Sequence, residues 1–368
     1  MQQILKMRHI FNIMLSSVLM LLMAACNERS SVTVLEIEPA GHPSGCNPGH
    51  EAGVSAPYCG VIDGCVIFAG GANFPDIPAK DGGRKRFYSD ILSANDGEWT
   101  RIGELPKPAA YGGSVCMEDR LLLLGGNDGE KTFPEVYSVG ISDGKPVIEQ
   151  CTPLPYGIEQ AGYAKEGNRI YIAGGLSAGN PFRKVMAGTV EGTEITWTEI
   201  ADMPEAMVQP VALACNGRLY VWGGFDPEGK RVSDRGWCLE IKTGEWRNVD
   251  GCPDGKTLTG ASGTVLKNGS LAIIGGVDND IFHRGLNISS EEERIAYMTM
   301  EPAEYRFNTS LRIFNPETEE WSVAGRMPQL ALAGAGIAAD DSYIYIIGGE
   351  LKPGIRTPDT WKLKTETR

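Results

Sequence analysis

The sequence predicts an all-β fold, a six-bladed β-propeller with a small helical insertion in its fifth repeat. Three observations carry this expectation. Six short apolar runs each end in a glycine pair: Gly70-Gly71, Gly125-Gly126, Gly174-Gly175, Gly223-Gly224, Gly275-Gly276 and Gly348-Gly349. The spacings between successive second glycines are 55, 49, 49, 52 and 73 residues, a near-constant period that marks a repeat architecture. Each interval also holds the same succession of turns and strand-like stretches, enough for four short strands, which is one propeller blade.

The unit reads in order. Apolar runs such as Val66–Ala69 and Leu121–Leu124 are too short for a buried helix and fit a buried strand. A paired glycine at the end of such a run suits a sharp bend or a close approach of two backbones. A second strand is expected after it, as in Phe87–Ser93, Glu135–Val139 and Gly236–Ile241. A turn and a tryptophan strand follow at Trp99, Trp197, Trp246 and Trp321. Leu105-Pro106, Leu154-Pro155, Met203-Pro204 and Met327-Pro328 then lead into a Gly/Ala-rich strand. This pattern resembles the kelch repeat over roughly residues 31–368. After the sixth pair only one more strand remains, Thr360–Leu363. Val32–Ile37, with its alternating pattern, is expected to close the last blade from the other end of the chain.

Residues 1–25 are expected to lie outside the fold. Lys6 and Arg8 precede an apolar stretch, Ile10–Met23, and Leu22-Met23-Ala24-Ala25-Cys26 follows. This reads as a lipoprotein signal, with Cys26 lipidated and residues 26–368 forming one domain. An ordinary signal peptide cleaved after Ala25 and a single membrane anchor are the alternatives, but the apolar stretch is short for a spanning helix. Asn27 in place of Asp points to the outer membrane, so the expected address is the cell envelope, lipid-anchored and facing the periplasm.

The formal charge is −13, and −15 once residues 1–25, with two cations and no acid, are removed. Such an acidic surface argues against nucleic acid as a partner and leaves the lipid anchor as the membrane contact. Eight cysteines remain besides Cys26, with no Cys-x-x-Cys and no Cys/His cluster of metal spacing. Neither a metal nor a cofactor is expected.

Departures from the repeat mark the loops that are expected to carry function. The fifth interval is the longest, and its excess runs from about Asp278 to Arg306. Ser289-Ser290-Glu291-Glu292-Glu293 has the Ser-x-x-Glu signature of a helix start, and Ile295 and Met298 continue at helical spacing. A cap over one face is expected there, with Asn279, Phe282, His283 and Arg284 in reach of the channel mouth. The sixth pair runs directly into Glu350-Leu351-Lys352-Pro353-Gly354-Ile355-Arg356-Thr357. That loop holds a carboxylate, an amine and a guanidinium, stiffened by Pro353 and turned by Gly354. On composition alone it reads as a solvated loop with an ordinary surface ion pair. Asn73, Phe74 and Asn127 follow other glycine pairs, Arg84-Lys85-Arg86 is a local basic cluster, and Gln160 sits at a strand start.

The stretch Gly349–Thr357 resembles the Gly-Glu-Ala-Lys-Pro-Gly-Leu-Arg-Thr segment of the bacterial N-acetylneuraminate (sialic acid) mutarotases. Leu271–Phe282, Glu320–Gly325 and Val66–Ala72 match that family as well. In the type family the Glu/Arg loop lies mid-chain, whereas here it falls in the last blade, so the blades look cyclically permuted. The resemblance implies a six-bladed propeller, a catalytic Glu at Glu350 and a substrate-carboxylate Arg at Arg356. Asn73, Phe74, Arg86, Asn127, Gln160 and Asn279 are the candidate binding residues around a small-molecule sialic acid. The implied reaction is anomer exchange by acid/base ring opening and reclosure. A non-enzymatic glycan-binding lipoprotein using the same basic loop is the alternative. A copper oxidase on the same scaffold is disfavoured, because only His42, His50 and His283 lie beyond residue 25.

Overall fold

In the computed structural model, which describes residues 32–95, 97–254 and 256–367, both glycines of every pair have positive φ, from +58° at Gly348 to +104° at Gly349. That left-handed backbone is open to glycine and strained for other residues. Space enforces the same choice. A Cβ on Gly70 would sit 2.2 Å from the carbonyl oxygen of Ala109, and one on Gly125 would sit 2.3 Å from that of Ile158. In five of the six pairs the second glycine donates its N–H to the carbonyl that a Cβ on the first would meet, as in Gly71 to Ala109 (2.9 Å) and Gly126 to Ile158 (2.8 Å). The glycine pair is therefore a seam where one blade is stitched to the segment entering the next. Gly349 N–H to Val54 O (2.9 Å) is the stitch that joins the last blade to the first.

Six four-stranded antiparallel sheets form the blades. The first runs Tyr58–Ile62, Cys65–Ala69, Asp90–Asn95 and Glu98–Glu104 from inside to outside. In the sixth, Gly336–Ala339, Tyr343–Ile347 and Thr360–Thr367 are followed outward by Val32–Pro39, antiparallel to Thr360–Thr367. Both ends of the described chain thus share one sheet. The apolar runs are the second strands and are almost wholly buried, and the core divides into clusters between neighbouring blades. The eight cysteines of the described residues are free thiols. Among the described residues no helix is long and apolar enough to cross a membrane. The signal segment 1–25 and Cys26 lie outside the described residues.

A feature without a sequence signature lines the channel. Ala56, Tyr111, Gln160, Gln209, Gly260 and Gly334, one per blade just before each innermost strand, all have φ between +53° and +69°. Each donates its N–H to the carbonyl of its neighbour in the preceding blade, and Ala56 donates to Gly334, so six backbone hydrogen bonds of 2.7–3.1 Å close into a ring. Four of the six are not glycine, so the ring holds side chains in a backbone region that costs of order 1 kcal/mol or more each.

Beyond the glycine pairs the chain makes small hairpins at the channel mouth. They are Ala72–Asn73 with Arg86–Phe87, Leu176–Ser177 with Asn180–Pro181, Phe225–Asp226 with Arg231–Val232, and Glu350–Lys352 with Ile355–Arg356. The first corrects the expected strand Phe87–Ser93: Arg86 and Phe87 belong to the hairpin, and the blade strand begins at Asp90. In the fifth blade two helices take this place, α1 (Asn279–Leu286) and α2 (Glu291–Thr299). Asp278 caps α1, and Ser290 caps α2 by accepting from Glu293 N–H at 3.1 Å. The insertion is tied to three blades. Asn287 donates to Lys230 O (3.3 Å), Arg294 to Lys80 O (3.2 Å), and Lys352 Nζ to Met300 O (2.6 Å).

Candidate active site

The ring residues line a cavity of about 1230 Å³ at the mouth, while a second cavity of about 520 Å³ is lined by the innermost strands beyond it. The larger one is lined by Glu350, Glu159, Lys85 and Lys131. Its geometry follows from the sixth hairpin, in which Pro353 and Gly354 (φ +84°) make the turn. The register sets Glu350 directly opposite Arg356, so the two side chains are cross-strand neighbours and form an ion pair through Nη2.

The pair is asymmetric. Glu350 lines the cavity with a quarter of its side chain exposed (26%), whereas the Arg356 side chain is 2% exposed and lies behind it. Arg356 Nε donates to Ser55 Oγ at 3.2 Å, and the guanidinium carbon lies 4.8 Å from the Phe74 ring centroid. Nη1 is buried and has no hydrogen-bond partner. A buried guanidinium nitrogen without an acceptor is costly, and an incoming carboxylate is the group that would complete it. Arg356 therefore holds Glu350 and is not itself among the residues that line the cavity.

The other expected residues divide by face. Asn127 follows Gly126 as Glu350 follows Gly349, and both line the cavity. Asn73 is one residue further along its hairpin, and successive side chains in a strand alternate faces. It is fully buried, donating to the carbonyls of Gly49 and Gly53 (both 2.7 Å) and accepting from Tyr88 Oη (2.8 Å). It ties the hairpin to the Gly49–Gly53 segment and is not free to bind. Phe74 lies against Arg356 and is not itself a cavity wall. The basic cluster splits in the same way. Lys85 faces the cavity, while Arg86 turns outward to an ion pair with Asp76 (2.7 Å). Asn279 opens α1 and is not among the residues that line the cavity; Asp278 before it is paired with Lys256 (2.7 Å) and Arg306 (2.8 Å).

Gln160 lies in the ring and lines the cavity, beside a residue that sequence reasoning missed. The Glu159 carboxylate accepts from Asn127 Nδ2, from Thr132 Oγ1 (2.8 Å) and from Gln160 Nε2 (3.2 Å). Gln160 Oε1 in turn accepts from Gln209 Nε2 at 2.7 Å. A second, fully hydrogen-bonded carboxylate therefore shares the cavity with Glu350. Its one sequence signal was its place beside Gln160 at a strand start. Lys131 and Tyr111 also line the cavity and were missed. Burial pushes the Tyr297 phenol of α2 up, and the nearby Tyr305 and Glu350 add to that shift.

Against known proteins, the model of the N-acetylneuraminate epimerase family matches residues 28–148 and 152–368. The N-acetylneuraminate epimerase of Yersinia enterocolitica is 28% identical over 234 residues, covering 59% of this chain and 58% of that protein. That of Haemophilus influenzae is 30% identical over 219 residues, covering 56% and 57%. The chain thus spans somewhat under three fifths of the curated relatives it matches. The solved structure of YjhT superposes with a TM-score of 0.60 over 86% of this chain and 97% of that one, at 14% identity, which speaks to the fold alone.

Proposed function

Since the chain belongs to the N-acetylneuraminate epimerase family, we propose that it is an isomerase, a mutarotase that interconverts the α and β anomers of N-acetylneuraminate. The observation that carries this is the cavity-facing Glu350 held by a buried Arg356 whose Nη1 lacks an acceptor. Exchange requires the sugar ring to open at C2 and to reclose on the other face. Glu350 takes the anomeric hydroxyl proton, and the guanidinium behind it completes the substrate's C1 carboxylate when Glu350 moves toward the sugar. The reaction already runs in water, so a general acid–base contribution of roughly 10²–10⁴-fold is sufficient. A permuted blade order limits a collinear match to part of each chain, which agrees with the partial coverage of the relatives.

Proton NMR of N-acetylneuraminate freshly released by a sialidase tests the proposal. The wild-type chain should speed the exchange between anomeric signals, and Glu350→Ala should return it to the rate in buffer while keeping the thermal melt. A wild-type chain that broadens or shifts the lines without speeding exchange would instead mark a glycan-binding protein. Lipidation at Cys26 and an outer-membrane address facing the periplasm are part of the same proposal. They rest on the signal-like segment, and they fail if Cys26→Ser leaves membrane fractionation and lipid labelling unchanged.

A further inference from the structure

Ring opening needs a proton at the ring oxygen as well as a base at the anomeric hydroxyl. We propose that Tyr111, paired with Lys85, is the proton donor to the ring oxygen; this rests on the mutarotase reading above.

Three observations place it. Tyr111 is the ring residue of the second blade, and its N–H donates to Ala56 O (3.1 Å). Ala56 is the neighbour of Ser55, whose hydroxyl holds Arg356 (3.2 Å). Tyr111 therefore stands one ring position from Ala56 and two from the sixth-blade hairpin, along the wall of the same cavity. Second, aromatic and cationic groups are continuous between the two. Arg356 lies over Phe74 at 4.8 Å, Lys85 Nζ lies 5.9 Å from the same ring, and Lys85 Nζ lies 4.6 Å from the Tyr111 ring. Third, Lys85 Nζ donates to Tyr111 Oη at 2.6 Å. That bond uses the oxygen as an acceptor and leaves the phenol proton for another acceptor. The ammonium also stabilises the negative charge that develops on Oη as the proton leaves.

Two other groups of this region do not serve. Both Glu159 carboxylate oxygens already accept hydrogen bonds, from Asn127, Thr132 and Gln160, so neither is free to face the sugar. The Tyr297 hydroxyl is packed between the insertion helices against Gly285 and does not line the cavity.

The step balances. Glu350 takes the proton of the anomeric hydroxyl, C2=O forms, and the C2–O6 bond breaks with its electron pair going to O6. O6 takes the Tyr111 proton, leaving the open-chain 2-keto acid, a protonated Glu350 and a tyrosinate held by Lys85. After rotation about C2–C3 the tyrosinate recovers the O6 proton, O6 attacks the other face of C2, and Glu350 returns its proton to the former carbonyl oxygen.

The test uses the full chain and N-acetylneuraminate in the exchange assay. Tyr111→Phe, which removes one oxygen, should lower kcat about 10²-fold or more with KM within about threefold. Lys85→Met, at an exposed position that leaves the tyrosine in place, should lower kcat about tenfold. If Tyr111→Phe raises KM with kcat unchanged, Tyr111 positions substrate and the proposal is overturned. If wild type and Glu350→Ala behave as above while both new variants turn over normally, this inference fails and the mutarotase reading stands. A wild-type chain without acceleration removes both.

Discussion

Arg356→Lys isolates what the guanidinium does beyond carrying charge. Arg356 uses Nη2 for Glu350, Nε for Ser55 at 3.2 Å and its flat face for Phe74 at 4.8 Å, with Nη1 left over. A lysine ammonium keeps the charge but has one nitrogen, no plane and a shorter reach across the hairpin. It can hold Glu350 or complete a substrate carboxylate, not both. The loss is at least one charge-assisted hydrogen bond, worth about 1.5–3 kcal/mol. At about 1.4 kcal/mol per factor of ten, that lowers kcat/KM about 10- to 150-fold. Saturation curves of anomer exchange followed by NMR give the number, and a thermal melt guards against misfolding. A variant within about threefold of wild type would refute the reasoning, since charge alone would then suffice and the fork would have no role.

Two further predictions concern stability. His50 is 1% exposed, lies 3.6 Å from Asp90, and neither ring nitrogen has a hydrogen-bond partner. Burial lowers its pKa below the ordinary value of 6.5, and Asp90 only partly opposes this. The unfolded chain therefore binds the proton at higher pH than the folded one. The stability held above pH 6.5 is lost as pH falls through the folded value. Melting curves from pH 7.5 to 5 should fall more steeply for wild type than for His50→Leu, and parallel curves would sink the idea. Gly349→Ala places a Cβ 2.9 Å from the Ala335 Cβ at φ +104°. It should cost about 2 kcal/mol or more in urea unfolding, and a neutral result would remove the seam role assigned to the glycine pairs.

The legible parts of the chain are those in which one residue type alone satisfies a local demand. Positive φ and a carbonyl 2.2 Å from any added Cβ leave only glycine at Gly70, and the same demand repeats around the ring. The blade count could therefore be read directly. Ser290 and Glu293 mark a helix start for the same reason, because unpaired N–H groups need a local acceptor. The Glu350–Arg356 loop was legible because a Pro-Gly turn and two charges form one hairpin.

Position across the channel has no such signature. The inner ring holds Ala56, Tyr111, Gln160, Gln209, Gly260 and Gly334, six positions with one conformation and four residue types. Hydrogen bonds from neighbouring blades impose that conformation, so nothing in the local sequence reports it. Asn73 and Asn127 look alike after their glycine pairs, yet one is walled in and the other lines the cavity, because a one-residue offset in a hairpin reverses the face. Lys85 and Arg86 part in the same way. By itself, the sequence determined the repeat, the number of blades and the hairpin that pairs a carboxylate with a guanidinium. Only the tertiary structure decided that Arg356 stands behind Glu350 and that Glu159, Lys85 and Tyr111 join it. Which side chains share a cavity depends on contacts between blades some fifty residues or more apart, and those contacts exist only once the ring is closed.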